Sequence, residues 1–218
     1  MKRGAHALAA IAALVLASCS DGGAASTTTP STISSGGSLA PALLTSSQLR
    51  RVPGFSTATL TSVPKVEVFD DPNPRGPCGG AVPRINLDDA IGSSWTANTI
   101  RSGAQLVLRR PATELQTYMA ARIRDAVADC PVFQLQSRTG VAQEMKFDDA
   151  VNVTRDADQS LAIVMAIRLN GEVRAATTIE IRNGNVLSRA VVFSSRPMPR
   201  STVRGIASLM AKSLQVVG

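Results

Sequence analysis

The sequence predicts an α+β domain: an antiparallel β-sheet of the meander type with amphipathic helices packed on it. Two observations carry this prediction. Between Leu161 and Ser194, three runs of strand-forming residues are separated by Asn170-Gly171 and Asn183-Gly184, the dipeptide that best fits a two-residue hairpin turn. Before and after these runs, apolar residues recur every three or four positions, at Leu115 to Cys130 and at Val203 to Leu214, which is the period of a half-buried helix.

Taken in order, the folded region starts near Ala40 with "APALLTSSQLRRVPGF". Thr45 followed by Gln48 has the S/T-x-x-E/Q form of a capping box, so a short helix is expected, ended by Pro53-Gly54. From Phe55 to Pro83 the chain reads as irregular, and "DDPNPRGPCGG" is crowded with turn residues. A strand is predicted over Thr99 to Arg109. The clearest helix follows, with Thr113 and Gln116 as its capping box. Leu115, Tyr118, Met119, Arg122, Ile123, Ala126, Val127 and Cys130 share one face, and Pro131 ends it.

Strands are expected at Val132 to Gln136 and at Glu144 to Thr154. Leu161 to Leu169 is apolar on both faces and reads as a central strand. In the next run Val173, Ala175, Thr177, Ile179 and Ile181 alternate with Glu172, Arg174, Thr178, Glu180 and Arg182, as in a strand with one buried side. Val186 to Ser194 closes the meander, Pro197 and Pro199 stop it, and Ser201 to Val217 makes a last amphipathic helix covering the sheet.

The amino terminus has a different logic. Lys2 and Arg3 precede an apolar run from Ala5 to Leu16, which leads into Leu16-Ala17-Ser18-Cys19. That is the order of a secretory signal peptide, and the run is well short of the roughly 20 residues a membrane span requires. "LASC" resembles the lipobox of bacterial lipoproteins. The resemblance implies diacylglycerol in thioether linkage on Cys19 and cleavage before it, so that residues 1–18 are a signal peptide. Acyl chains then anchor the protein to the extracytoplasmic face of the cell membrane. Residues 19–40 are rich in Ser, Thr and Gly and form a flexible tether with a reach of roughly 25 Å. The folded domain occupies residues 41–218.

Of three cysteines, Cys19 is assigned to lipid, which leaves Cys78 and Cys130 to pair in a compartment that permits disulfides. Closing that loop contributes about 4 kcal/mol in the chain-entropy model. A metal site is the competing reading, although two sulfurs without histidine do not complete a tetrahedral zinc site.

Loss of residues 1–18 removes two of 23 basic residues and leaves 21 against 16 acids, a mature charge of +5. The basic residues are dispersed, suited to anionic headgroups or acidic wall polymers rather than to nucleic acid. His6 is the single histidine and leaves with the signal, which removes Ser-His-Asp and Cys-His chemistry. No catalytic residue, cofactor or metal ligand is assigned. Asp70-Asp71 with Asn73 lacks the ligand ladder of a calcium loop. Asp88-Asp89, Asp148-Asp149 and Asp156 with Asp158 fall where turns and helix starts are expected, and Ser188, Ser194 and Ser195 have no histidine partner. Trp95 and Tyr118 read as core residues in preference to cleft walls. Arg168, Arg174, Arg182 and Arg189 admit two readings: a basic patch for an anionic headgroup, or solvated strand faces with Arg-Glu cross-strand pairs.

The lipobox, the tether, "LLTSSQLRRVPGF", the "PCGG" loop, Trp95, the helix ending in "ADCPVF" and the closing meander and helix together resemble the PknH-like extracellular sensor domain of actinobacteria, over residues 40–217. The resemblance implies a curved antiparallel sheet, packed helices and a ligand cleft, but no ligand-binding residue transfers. That family's kinase ectodomain has two disulfides and this chain has cysteines for one. The expected function is a non-enzymatic envelope lipoprotein whose domain binds a small molecule, lipid or envelope protein. The alternatives are a lipid or glycolipid carrier and a histidine-independent hydrolase.

Overall fold

The computed structural model describes residues 38–62, 83, 85–98, 101–127, 132–136, 142–151, 153–169 and 172–217. Cys19, Cys78 and Cys130 lie outside the described residues, as do Asp70, Asp71 and Asn73. In chain order the elements are a 3-10 turn Ala40–Ala42, α1 (Ser46–Leu49), β1 (Thr59–Ser62), β2 (Ile91–Asn98), β3 (Arg101–Arg109), α2 (Ala112–Val127), β4 (Val132–Gln136), β5 (Ala142–Val151), β6 (Gln159–Leu169), β7 (Glu172–Asn183), β8 (Val186–Ser194) and α3 (Arg200–Leu214). Among the described residues no helix is long and apolar enough to cross a membrane.

Among the described residues eight strands form one antiparallel sheet in the order β1-β2-β3-β8-β7-β6-β5-β4. The predicted meander is present, running from β4 to β8 with each strand beside its neighbour in sequence. A second meander, β1 to β3, joins it through the β3–β8 pair. This topology dictates the course of α2. The chain leaves β3 inside the sheet and must reach β4 at the far edge, a distance of five strand spacings or about 24 Å. A helix of 16 residues spans about the same length, so α2 crosses over the face of the larger meander.

The other face is covered by α3 and by the segment around the 3-10 turn. Val203, Ile206, Ala207, Met210 and Leu214 of α3 join Ala42, Leu44 and Leu49 over Val107, Ile179, Ile181, Ala190 and Val192 of the sheet. Under α2 a smaller cluster gathers Leu115, Tyr118 and Met119 with Ala104, Leu106, Leu108, Leu161, Ile163 and Leu187. Over their described side chains β3, β6, β7 and β8 are therefore covered on both sides. Sequence alternation in β7 predicts one solvated face, and this expectation is corrected: Thr178, Glu180 and Arg182 are all buried, Glu180 beneath Tyr118 and Arg122 of α2 and Arg182 against Gln159 and Gly184 at the end of the hairpin.

One local expectation holds in full and two are shifted. Thr45 accepts from the Gln48 N–H while the Gln48 amide oxygen accepts from the Thr45 N–H at 2.7 Å, a complete capping box. The last hairpin is displaced by one residue from its predicted place. Asn183 pairs with Val186, so the two loop residues are Gly184 and Asn185, and Gly184 takes φ +55°, which a residue without Cβ adopts at no steric cost. The cap of α2 also differs. Leu115 N–H bonds to Pro111 O, which puts Thr113 inside the helix, where Thr117 Oγ1 donates to its carbonyl.

Strands β1 and β2 were not expected. Their segments "TLTS" and "IGSSWTAN" are rich in small polar residues and show no apolar alternation. What holds β2 is its pairing to β3, where Trp95 lies opposite Gly103. A Cβ on Gly103 would stand 2.7 Å from two ring atoms of Trp95, so the missing side chain lets the indole lie flat across the neighbouring strand.

Candidate functional site

Strand β7 is polar on the side under α2 and apolar on the side under α3. Glu180 stands opposite Arg189 of β8 in register, and the same row continues to Leu161 on one flank and Leu106 on the other. Above it, Tyr118 and Arg122 are four residues apart, so both project from one face of α2. The four side chains meet. Glu180 Oε1 accepts from Tyr118 Oη at 2.8 Å and from Arg189 Nε at 2.7 Å, and Oε2 accepts from Arg122 Nε at 3.2 Å. Arg189 also donates through Nη2 to Tyr118 Oη and sits 5.7 Å from the centre of its ring, within cation–π range.

Burial is deep, with Glu180 at 1 % exposure and both arginines at 12 %. Burial alone pushes the Glu180 carboxyl up, but Arg122, Arg189 and the hydrogen bonds from Tyr118 and Arg189 outweigh it and hold the group at about 2. Burial likewise drives the Tyr118 phenol well above its ordinary value; Arg189 opposes that shift and Glu180 reinforces it. Near neutral pH the carboxylate therefore has no proton to give and the phenol none to lose. A general acid or base requires a group poised near the working pH, and these two are moved away from it in opposite directions. Their arrangement locks helix to sheet.

A second polar bolt fastens the opposite face. Gln105 is fully buried; its Nε2 donates to Ala42 O at 3.2 Å and Ser188 Oγ at 2.9 Å, while its Oε1 accepts from Leu44 N–H at 2.8 Å. The start of the domain is thereby tied to β3 and β8. Near it, Ser93 Oγ, Trp95 Nε1 and Thr177 Oγ1 are buried without a hydrogen-bond partner among the described residues. Trp95, Gly103, Val192 and Thr177 lie in one register row across four strands.

The four arginines singled out in the sequence do not share one environment. Arg189 takes the cross-strand Arg-Glu reading, though buried rather than solvated. Arg182 donates to Gln159 Oε1 at 2.7 Å and Gly184 O at 2.8 Å, and its Nη2 lies 3.5 Å from Asp158 Oδ2, so it braces the hairpin. Arg168 is in register with Glu144, and Arg174 is half-buried. Trp95 and Tyr118 are 1 % and 3 % exposed, in agreement with a core role, but Tyr118 is also a polar partner.

The aspartates separate too. Asp88 and Asp89 form the expected turn, with Asp89 3.7 Å from Arg110, and Asp156 and Asp158 lie in the β5–β6 connection. Asp148 and Asp149 belong to β5, within the strand expected over Glu144 to Thr154 rather than in a turn, at a register irregularity between Phe147 and Asp149. Ser188 is held by Gln105 and Ser194 donates to Arg196 O. Among the described residues no three His, Cys, Asp or Glu side chains gather to hold a metal ion.

Sequence reasoning missed the Glu180 cluster as a buried unit. One signal was present: Arg122 falls on the apolar stripe of α2, and an arginine on a buried stripe requires an acid beneath it.

With this geometry in hand, the chain compares with a solved structure, the extracellular domain of PknH from Mycobacterium tuberculosis, at a TM-score of 0.54 and 12 % sequence identity, over 81 % of this chain and 94 % of that one. The two share a fold. No family model matches the sequence, and no curated protein does. The α+β architecture with an antiparallel meander and packed helices is thus common to this chain and an extracellular domain.

Proposed function

We propose that this protein is a cell-envelope lipoprotein, anchored by diacylglycerol on Cys19 to the extracytoplasmic face of the membrane, whose folded domain is a non-enzymatic, sensor-like binding module. The observation that carries the reading is the likeness to an extracellular domain along nearly its whole length. The export signal ending in "LASC" agrees with it. So does the chemistry of the best-defined polar cluster, whose two titratable acids are locked away from neutral pH. The ligand class is a small molecule, a lipid or an envelope protein.

Intact-mass measurement on protein extracted from its own membrane tests the anchor. The expected mass lacks residues 1–18, carries diacylglycerol on Cys19, and is two hydrogens lower before reduction of Cys78 and Cys130 than after. A Cys19→Ala form takes up no palmitate and leaves the membrane. Cleavage elsewhere with Cys19 unmodified overturns the anchor, and two free thiols overturn the disulfide. Native mass spectrometry of the gently extracted protein then narrows the ligand class: lipid held in stoichiometric amount favours the carrier reading, and none leaves a small molecule or an envelope protein.

A further inference from the structure

The face covered by α3 has an outer side that is positive except at the carboxyl end of α3, where the β5–β6 connection joins the core through Val153 and Ala157 and exposes Asp156 and Asp158. Its two other segments, residues 38–62 and 194–217, contain no Asp or Glu and carry Arg50, Arg51, Arg196, Arg200, Arg204 and Lys212, all six exposed. They are brought together by packing: Val52 Cγ1 is 3.7 Å from where a Cβ on Gly205 would stand, so Arg51 and Arg204 flank a shared contact. Arg200, Arg204 and Lys212 follow at multiples of four along α3 and form one stripe. At its far end Gln215 meets the carbonyl of Asp156, which places the centre of the positive surface toward Arg196, Arg204 and Arg51.

Helix stability accounts for Lys212 in the last turn of α3 but not for Arg200. The first turn of α3 has no acidic residue and its N-cap Pro199 makes no side-chain cap, while Arg200 at the first helical position opposes the macrodipole. The place where the chain enters the domain supplies a second argument. The 3-10 turn Ala40–Ala42 lies against α3 and Ala42 and Leu44 share its apolar core, so the described chain begins on this side of the sheet. A tether of the expected reach brings this face, rather than the α2 face, to whatever holds the amino terminus.

We propose that the outer side of α3, with the adjoining Arg50-Arg51 segment, is a docking surface for an anionic lipid bilayer, on which the anchored domain lies. The proposal rests on the membrane-anchor reading for its place in the cell, but the charge complementarity is independent of acylation. Each Lys or Arg held near an anionic surface is worth about a fivefold change in partition, falling off within a Debye length.

The test uses residues 19–218 with Cys19→Ser, so no acyl chain contributes. The chain is expected to co-sediment with vesicles of phosphatidylglycerol and phosphatidylcholine at low ionic strength, to stay in solution with phosphatidylcholine alone, and to be released near 1 M salt, where the Debye length is about 3 Å. Arg51→Glu, Arg196→Glu and Arg204→Glu together lower the partition coefficient by at least about a hundredfold with an unchanged melting curve. Arg124→Glu, on exposed ground of α2, leaves it intact. Equal binding to neutral vesicles, equal loss from Arg124→Glu, or equal capture by a soluble polyanion that outcompetes vesicles overturns the proposal. A native mass without diacylglycerol sinks the anchor while leaving this surface standing, and failure on vesicles does the reverse.

Discussion

The two faces of the sheet are secured in different ways, and β7 belongs to both. Toward α3 it presents Ile179 and Ile181, each fully buried in a cluster that runs from the 3-10 turn to the end of α3. Toward α2 it presents Glu180, just as buried, in a ring of two guanidiniums and a phenol. Apolar burial is tolerant of partner and angle, whereas a buried carboxylate is stable only in the geometry that satisfies it. The α3 face therefore supplies bulk cohesion. The α2 face fixes how one helix sits.

The largest way to break this contrast is Glu180→Ala. It leaves Arg122 and Arg189 under α2 without their carboxylate, and removing one partner of a buried ion pair costs about 3–5 kcal/mol, read as a lower urea midpoint. An acid titration sharpens it. Since Glu180 is depressed to about 2 when folded, its contribution is fully present above the unfolded value near 4.5 and is lost as pH falls toward 2. The stability gap between wild type and Glu180→Gln should close by on the order of 3 kcal/mol across that window. A gap that stays constant with pH would show that Glu180 is not the ionised member of the cluster.

Tyr118→Phe is the intermediate case. It removes one donor to Glu180 while both guanidiniums remain, so the loss is that of a hydrogen bond to a charged group, about 1.5–3 kcal/mol. Tyr118 is also the sole tyrosine, which makes it a private optical probe. Its raised pKa means that the phenol stays protonated in the fold above its ordinary value of 10.0 and that stability falls as pH climbs past that value. Phenolate absorbance should accordingly rise together with loss of structure as one transition. An earlier, separate rise near pH 10 would place the hydroxyl at the surface.

The same contrast explains how far the sequence could be read. The antiparallel run β6 to β8, the central strand Leu161 to Leu169 and both long helices were legible because each carries its own period or turn chemistry, although the last turn sits one residue later than Asn183-Gly184 and Asn170-Gly171 lies outside the described residues. Strand β2 was not, because "IGSSWTAN" takes its conformation from β3 and from the room that Gly103 leaves for Trp95. Glu180 and Arg182 read as solvated because alternation reports chemistry on each side of a strand but not what lies above it. The missing information was topological: α2 must travel from β3 to β4 at the far edge. Once that crossing is known, Arg122 on its buried stripe and Glu180 on β7 predict each other.

The smallest effect tests the contrast from the opposite side. Thr177 lies on the α3 face of β7, fully buried, and its Oγ1 has no partner among the described residues. On the α2 face every polar atom of Glu180 is engaged, so subtracting polarity there destabilises. On the α3 face the hydroxyl bears a desolvation penalty with no bond to offset it, so Thr177→Val, which keeps the branched shape that suits a strand, should leave stability unchanged or raise it by up to about 1 kcal/mol. A loss comparable to that of Tyr118→Phe would mean that Thr177 bonds to something in the native protein, with Trp95 Nε1 in the same row the first atom to examine, and the α3 face would then hold a polar lock beyond the one Gln105 makes.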